Sequence, residues 1–142
     1  MTRHEAMFNW IGSYPNIHDI FNVDFSEAEV RTNSFKILDE QVKKTDILGN
    51  ETVNYKFSIG EYRNYTTNPF TMENLKNIEA VDEFIDWVNE QDKIRNYPQI
   101  PNANVEKVTA SRIGSGMASV DPIMRLAQYT FTVTVTYTTK EM

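Results

Sequence analysis

From Tyr129 to Thr138 the chain alternates Tyr129, Phe131, Val133, Val135 and Tyr137 with Thr130, Thr132, Thr134, Thr136 and Thr138. Successive side chains of an extended strand point to opposite faces, so this stretch demands a sheet with one buried face and one that is solvated or covered by a partner. A slip of one residue would turn every aromatic ring out to water, which pins the register wherever a core lies behind the sheet. The β-branched threonines suit a pleated surface in solvent, and equally one packed edge by edge into a ring.

A second alternation, Val53, Tyr55, Phe57 and Ile59 against Asn54, Lys56 and Ser58, predicts another half-buried strand, and Ser34 to Leu38 reads as the start of a third. A hairpin is the simplest connection between the two. The intervening Asp39 to Asn50 is polar and ends in Gly49-Asn50, so a loop is expected there, longer than a tight hairpin needs and suited to contact a partner. Gly60 breaks the alternation ahead of Tyr62 and Tyr65, which predicts a bulge or bend, and Asn68-Pro69 stops the strand.

Thr71 is the expected N-cap of a helix from Met72 to Asp92, because its hydroxyl can accept from a backbone donor left over in the first turn. On that helix Leu75, Ile78, Val81, Ile85 and Val88 form one stripe, with Ala80, Phe84 and Trp87 beside it, while Glu79, Asp82, Glu83, Asp86 and Glu90 take the other side. Pro98 and Pro101 forbid helix through Tyr97 to Asn102. Val105 to Ile113 then reads as a strand, followed by a flexible loop from Gly114-Ser115-Gly116 to Asp121-Pro122.

At the front of the chain Ala6, Met7, Trp10, Ile11 and Tyr14 share one face of a short helix over residues 2 to 12, ended by Gly12, Ser13 and Pro15. Asn16 to Val30 has no clean period and reads as an irregular arm or short helix leading into a strand. The order of helix, strands, long helix and strands predicts one α+β domain over residues 1–142, a mostly antiparallel sheet with both helices on one face.

Composition excludes several function classes. The 20 acidic residues outnumber the 14 basic ones, and the formal charge of −6 repels phosphate backbones, so no specific nucleic-acid binding is expected. Without cysteine there is no disulfide, thiolate zinc site or cysteine nucleophile. Met1 to Ile11 lacks the continuous apolar centre of a signal peptide, and no stretch approaches the roughly 18 apolar residues of a membrane span. No membrane partner is expected.

A hydrolytic or redox enzyme needs a nucleophile with a base, a metal cluster or a phosphate cradle, and no such set stands out. His4 and His18 have no carboxylate or histidine at a zinc-binding helical spacing. Glu79, Asp82, Glu83 and Asp86 could be read as an acid/base or metal array, but a solvated helix face explains the same spacing. Gly114-Ser115-Gly116 lacks the lysine and hydroxyl residue of a phosphate loop. The expectation is a protein that is not an enzyme and has no cofactor or metal.

The stretch Asn74-Leu75-Lys76-Asn77-Ile78-Glu79, continuing to Phe84-Ile85-Asp86-Trp87-Val88 and Glu90-Gln91, the Tyr97-Pro98-Gln99-Ile100-Pro101 loop, and the closing Ala127-Gln128-Tyr129 together resemble a pattern in small bacteriophage minor capsid or tail-terminator-like proteins. The likeness covers roughly residues 52 to 139, and its motifs are packing motifs rather than catalytic ones. It implies a structural virion protein, made in the host cytoplasm. Such a protein is a ring subunit, commonly six-fold, whose partners are copies of itself, the tail-tube protein and a neck or head-completion protein.

Under that resemblance the candidate subunit or tube contacts are Lys43, Lys44 and Asp46 in the polar loop, with Arg112, Met117 and Arg125 around the glycine loop. Asp82, Glu83 and Asp86 are candidate channel-facing acids, since like charge would keep passing DNA from sticking. A head-completion protein of the same particle is the alternative within the class. From a different class, a small-ligand-binding α+β barrel would use the aromatic residues to line a cavity.

Overall fold

The computed structural model describes residues 1–17, 20–24, 32–68 and 72–140. Among them the Thr-rich stretch is the middle of a six-stranded sheet. β6 (Leu126–Thr139) pairs antiparallel with β3 (Glu51–Asn64), and the register sets Val53 opposite Tyr137, Tyr55 opposite Val135, Phe57 opposite Val133 and Ile59 opposite Phe131. The two alternations therefore add into one continuous apolar face. The even-numbered residues pair on the other face, Thr52 with Thr138 and Asn54 with Thr136, and both pairs are joined by side-chain hydrogen bonds.

β2 (Thr32–Thr45) lies antiparallel beside β3, and β1 (Ile20–Val23) pairs parallel with its first four residues. On the far side of β6, β4 (Ala103–Ser111) takes the half from Thr132 to Thr139 and β5 (Met117–Asp121) the half from Leu126 to Tyr129. The sheet order is β1-β2-β3-β6-β4, with β5 paired to β6.

Both helices cover the odd-numbered face. In α1 (Arg3–Ile11) the residues Ala6, Met7, Trp10 and Ile11 are buried, as their spacing requires, and the Thr2 hydroxyl accepts from the Glu5 N–H as N-cap. α2 (Glu73–Lys93) buries Val81, Phe84, Ile85 and Val88. The helices meet each other and the sheet through rings: Tyr14 stacks on Phe84 at 3.8 Å, Trp10 lies 5.7 Å from Trp87, and Phe84 lies 4.9 Å from Phe131. This is the expected α+β architecture, with its helical layer laid on a mostly antiparallel sheet.

Several local expectations are corrected. Asp39 to Asn50 is no long loop: β2 runs on to Thr45, and only residues 46–50 turn. From Leu38 to Thr45 both faces of β2 are exposed, so no alternation marks the strand. β5 likewise lies inside the expected glycine loop, and all five of its residues are exposed. Gly60 carries no bulge, because pairing runs unbroken through it on both sides. A Cβ there would stand 2.6 Å from the Ser34 Oγ, so the glycine answers a close approach on the polar face.

α2 buries Val81, Ile85 and Val88 of the expected stripe and packs Ile78 against the core, and it departs from that stripe only toward its ends. Leu75 is 45% exposed, while Asn77 and Gln91 are buried. Asn77 earns its place by bonding: its Oδ1 accepts from Arg63 Nε at 3.0 Å and its Nδ2 donates to the Asn64 carbonyl at 2.6 Å. Met72 stands at the N-cap position without a side-chain bond. The expected cap Thr71 lies outside the described residues, as do Pro69, His18 and residues 25–30 of the irregular arm.

Candidate functional site

The sheet has two long edges that differ in their chemistry. α2 lies along β4 and closes that edge, with Asn89 Oδ1 accepting the Ala110 N–H at 3.0 Å and Asp92 Oδ1 accepting the Val108 N–H at 2.9 Å. The opposite edge is open, since beyond Phe35 β2 has only β3 beside it among the described residues. Open edges invite pairing, and natural proteins blunt them with lysines and bulges. β2 carries both, Lys43 and Lys44 together with irregularities at Ile37/Asp39 and Val42/Lys44.

At the end of this arm Asp46 builds the turn. Its Oδ1 accepts from the Leu48 N–H at 2.9 Å and the Asn50 N–H at 3.0 Å, its carbonyl accepts from Gly49, and Gly49 takes the positive φ of +87° that the turn needs. This framework holds Ile47 and Leu48 out in water at 102% and 66% exposure. At the opposite end of β6 the same device recurs. Asp121 Oδ1 accepts from the Ile123 and Met124 N–H groups at 3.0 and 3.1 Å, and both side chains are exposed. Arg125 closes that turn at φ +55°, and its carbonyl accepts from the Tyr65 N–H.

The candidate residues fall into separate places. Lys43 and Lys44 lie on the open edge, Asp46 organises the arm's turn, Met117 begins β5, and Arg125 sits in the β5–β6 turn. Arg112 and Asp82 come together: Nε of Arg112 lies 2.7 Å from Oδ1 of Asp82, and this pairing ties the glycine loop to α2. The guanidinium holds the Asp82 carboxyl below its ordinary pKa, first through the hydrogen bond. Of the three candidate channel acids, Glu83 and Asp86 are exposed on the outer face of α2, and Asp82 is engaged with Arg112.

Sequence reasoning passed over Ile47, Leu48, Ile123 and Met124. The signal was present as an aspartate one or two residues ahead of two large aliphatic side chains in a turn, repeated at both ends of the sheet.

Between the start of α1 and the arm lies a groove of about 540 Å³, lined by Arg3, Glu40, Val42, Val53, Ala103 and Tyr137 among others. It forms because the sheet runs on past the beginning of α1. Arg3 and Glu40 pair across it at 2.6 Å, and behind it the buried Tyr55 hydroxyl meets His4 Nδ1 at 2.7 Å. Among the described residues no group of three or more histidines and carboxylates could hold a metal ion, and no helix is long and apolar enough to cross a membrane.

Tyr55 and Tyr137 have phenol pKa values raised above the ordinary value, first by burial and next by the Glu40 carboxylate. A raised folded-state pKa contributes stability that is present below the unfolded value near 10 and lost as pH rises through the folded value. The melting temperature is therefore expected to fall progressively above about pH 10, with Tyr55→Phe weakening the fall. A thermal melt followed by circular dichroism across that range checks it, and a flat profile would contradict it.

The fold and these surfaces define an α+β protein with a closed edge, an open edge and an apolar turn at each end. Neither a known protein family nor a curated protein matches this chain.

Proposed function

We propose that this chain is a structural subunit that assembles with copies of itself into a ring, and that the ring is a tail terminator capping the head-proximal end of a phage-type tail tube and joining it to the neck. The observation that carries the reading is the pair of aspartate-organised turns at the two ends of β6, each holding two large apolar side chains in water. The 14 residues of β6 span roughly 45 Å, so the turns are contact points at opposite poles. A ring between a tube and a neck needs contacts at both poles and a lateral surface. The open β2 edge and its arm supply the lateral one.

The resemblance of residues 74–101 and 127–129 to tail-terminator-like proteins supports the more specific part of the reading. A neck or head-completion component would use the same surfaces, and binding to a tube protein rather than to the portal side separates the two.

Light scattering after size exclusion, followed by negative-stain imaging, tests the reading. A species of about 99 kDa, six times the 16.5 kDa chain, with ring-shaped particles is the expected result. A strict monomer at every concentration, forming no rings when tube protein is added, overturns it.

A further inference from the structure

Both helices lie on the odd-numbered face of the sheet, which leaves the even-numbered face of β3 and β6 open among the described residues. The strand register fixes what stands there. Lys36 falls in the row of Thr132, Lys56 in that of Thr134, Lys107 in that of Thr136 and Lys44 in that of Thr138, one lysine in each of four successive rows. Lys43 joins them, its Nζ donating to Gln41 Oε1 at 3.3 Å. Against these five lysines the same rows hold two carboxylates, Asp39 beside Lys56 and Glu106, which accepts from the Thr138 hydroxyl at 2.6 Å. All five lysines are exposed, and none has an ion-pair partner among the described residues.

The outer face of α2 carries the opposite charge. Glu79, Glu83, Asp86 and Glu90 are exposed at helical spacing, and only the ends are offset, by Lys76 and by Lys93, whose Nζ lies 4.0 Å from Glu90. Like charges three and four residues apart on a helix repel, as do like charges neighbouring on a sheet, so both surfaces carry repulsion that the lone chain leaves unrelieved. Their shapes match as well. Lys36, Lys56 and Lys107 run diagonally from β2 across to β4 over roughly 20 Å, set by strand spacing and rise. The acidic stripe is about 16 Å long, a difference that flexible lysine side chains absorb.

We infer that copies stack front to back, the acidic outer face of α2 in one copy lying along the lysine diagonal on the open sheet face of the next. This rests on the self-assembly proposed above and names the two surfaces that would build it, with Lys36, Lys43 and Lys44 contributed by the open-edge strand β2. A nucleic acid would answer the lysines too, but the formal charge of −6 repels a phosphate backbone, and the acidic stripe would stay unanswered. A second copy satisfies both faces at once. Because they lie on opposite sides of the molecule the contact is heterologous, and it closes into a ring when the rotation between copies divides a full turn.

Two charge-reversed proteins test it. One carries Lys36→Glu, Lys56→Glu and Lys107→Glu on the sheet face, and the other Glu79→Lys, Glu83→Lys and Asp86→Lys on α2. All six side chains are exposed, so both proteins are expected to fold, with far-UV circular dichroism as the check. Each alone is expected to self-associate roughly a hundredfold more weakly than the wild type by light scattering, and an equimolar mixture of the two to recover assembly, because each reversed face then meets its complement. Salt gives a test that needs no variant. Raising sodium chloride from about 0.05 to about 0.5 M is expected to weaken wild-type association by about tenfold or more.

If the wild-type chain associates and either variant does so equally well, or the mixture recovers nothing, the front-to-back contact is overturned and the ring reading stands. Association indifferent to salt overturns it as well. A sheet-face variant that assembles normally but loses binding to a short oligothymidine held by the wild type would assign the lysines to a polyanion instead. A chain that never self-associates removes both the contact and the ring.

Discussion

Val133→Asp is expected to leave no folded population at neutral pH. Val133 is fully buried at the centre of β6, opposite Phe57 on one side and Ala110 on the other. A carboxylate there has no cation and no donor to meet, and an unpaired buried charge costs several kcal/mol, set against a total of about 5–15 kcal/mol for a domain. Thr134→Asp, one residue on, places the same group on the polar face opposite Lys56 and Thr109, where the cost is about 1 kcal/mol or less. Far-UV circular dichroism with urea titration reads both. A Val133→Asp protein that unfolds cooperatively within about 1 kcal/mol of the parent would show that the odd-numbered face is not the core.

Phe84→Ala is expected to lower stability by about 3–5 kcal/mol. The ring stacks on Tyr14, lies 4.9 Å from Phe131 and approaches Trp87 edge-on at 6.2 Å, so its loss uncouples the segment after α1, the long helix and the central strand together. Leu75→Ala, on the stripe that simple spacing favours, is expected to cost under about 1 kcal/mol, since nearly half of Leu75 is exposed. The comparison tests whether the buried face of α2 runs through Phe84 or through Leu75. If Leu75→Ala proves the more damaging in a urea denaturation series, the helix is turned differently from the arrangement described above.

The two variants probe features of different legibility. The odd-numbered face of β6 is written in its alternation, and so is the matching face of β3, because each strand has one buried and one wetter side. Residues 38–45 and 117–121 are strands just as surely, yet neither carries a period. Their residues are exposed on both faces, and their extended state is imposed by backbone pairing to β3 and β6. That same exposure is why neither stretch was legible as a strand from its side-chain period.

The candidate contacts divided in the same way. Lys43 and Lys44 stand in the sequence as charges in a polar run, and in the fold they occupy an open strand edge. Asp46 stands in the sequence as one more charge, yet its carboxylate is bonded to two backbone N–H groups, while the side chains that reach solvent beside it are Ile47 and Leu48. Asp82 and Arg112 stood 30 positions apart with no local reason to be paired, and only the fold puts them at 2.7 Å.

Local physics determined the existence of the strands with one buried face, both helices, the stops at glycine and proline, and the α+β class, since these depend on side-chain period and backbone preference over a few residues. Tertiary structure alone decided which edge α2 seals through Asn89 and Asp92, how far the β2–β3 arm extends past the core, why Gly60 must lack a side chain, and that the rings of Tyr14 and Trp10 are the ones that meet Phe84 and Trp87. Each of these is a contact between residues distant in the chain, where geometry is set by which surfaces come together and no local period records it.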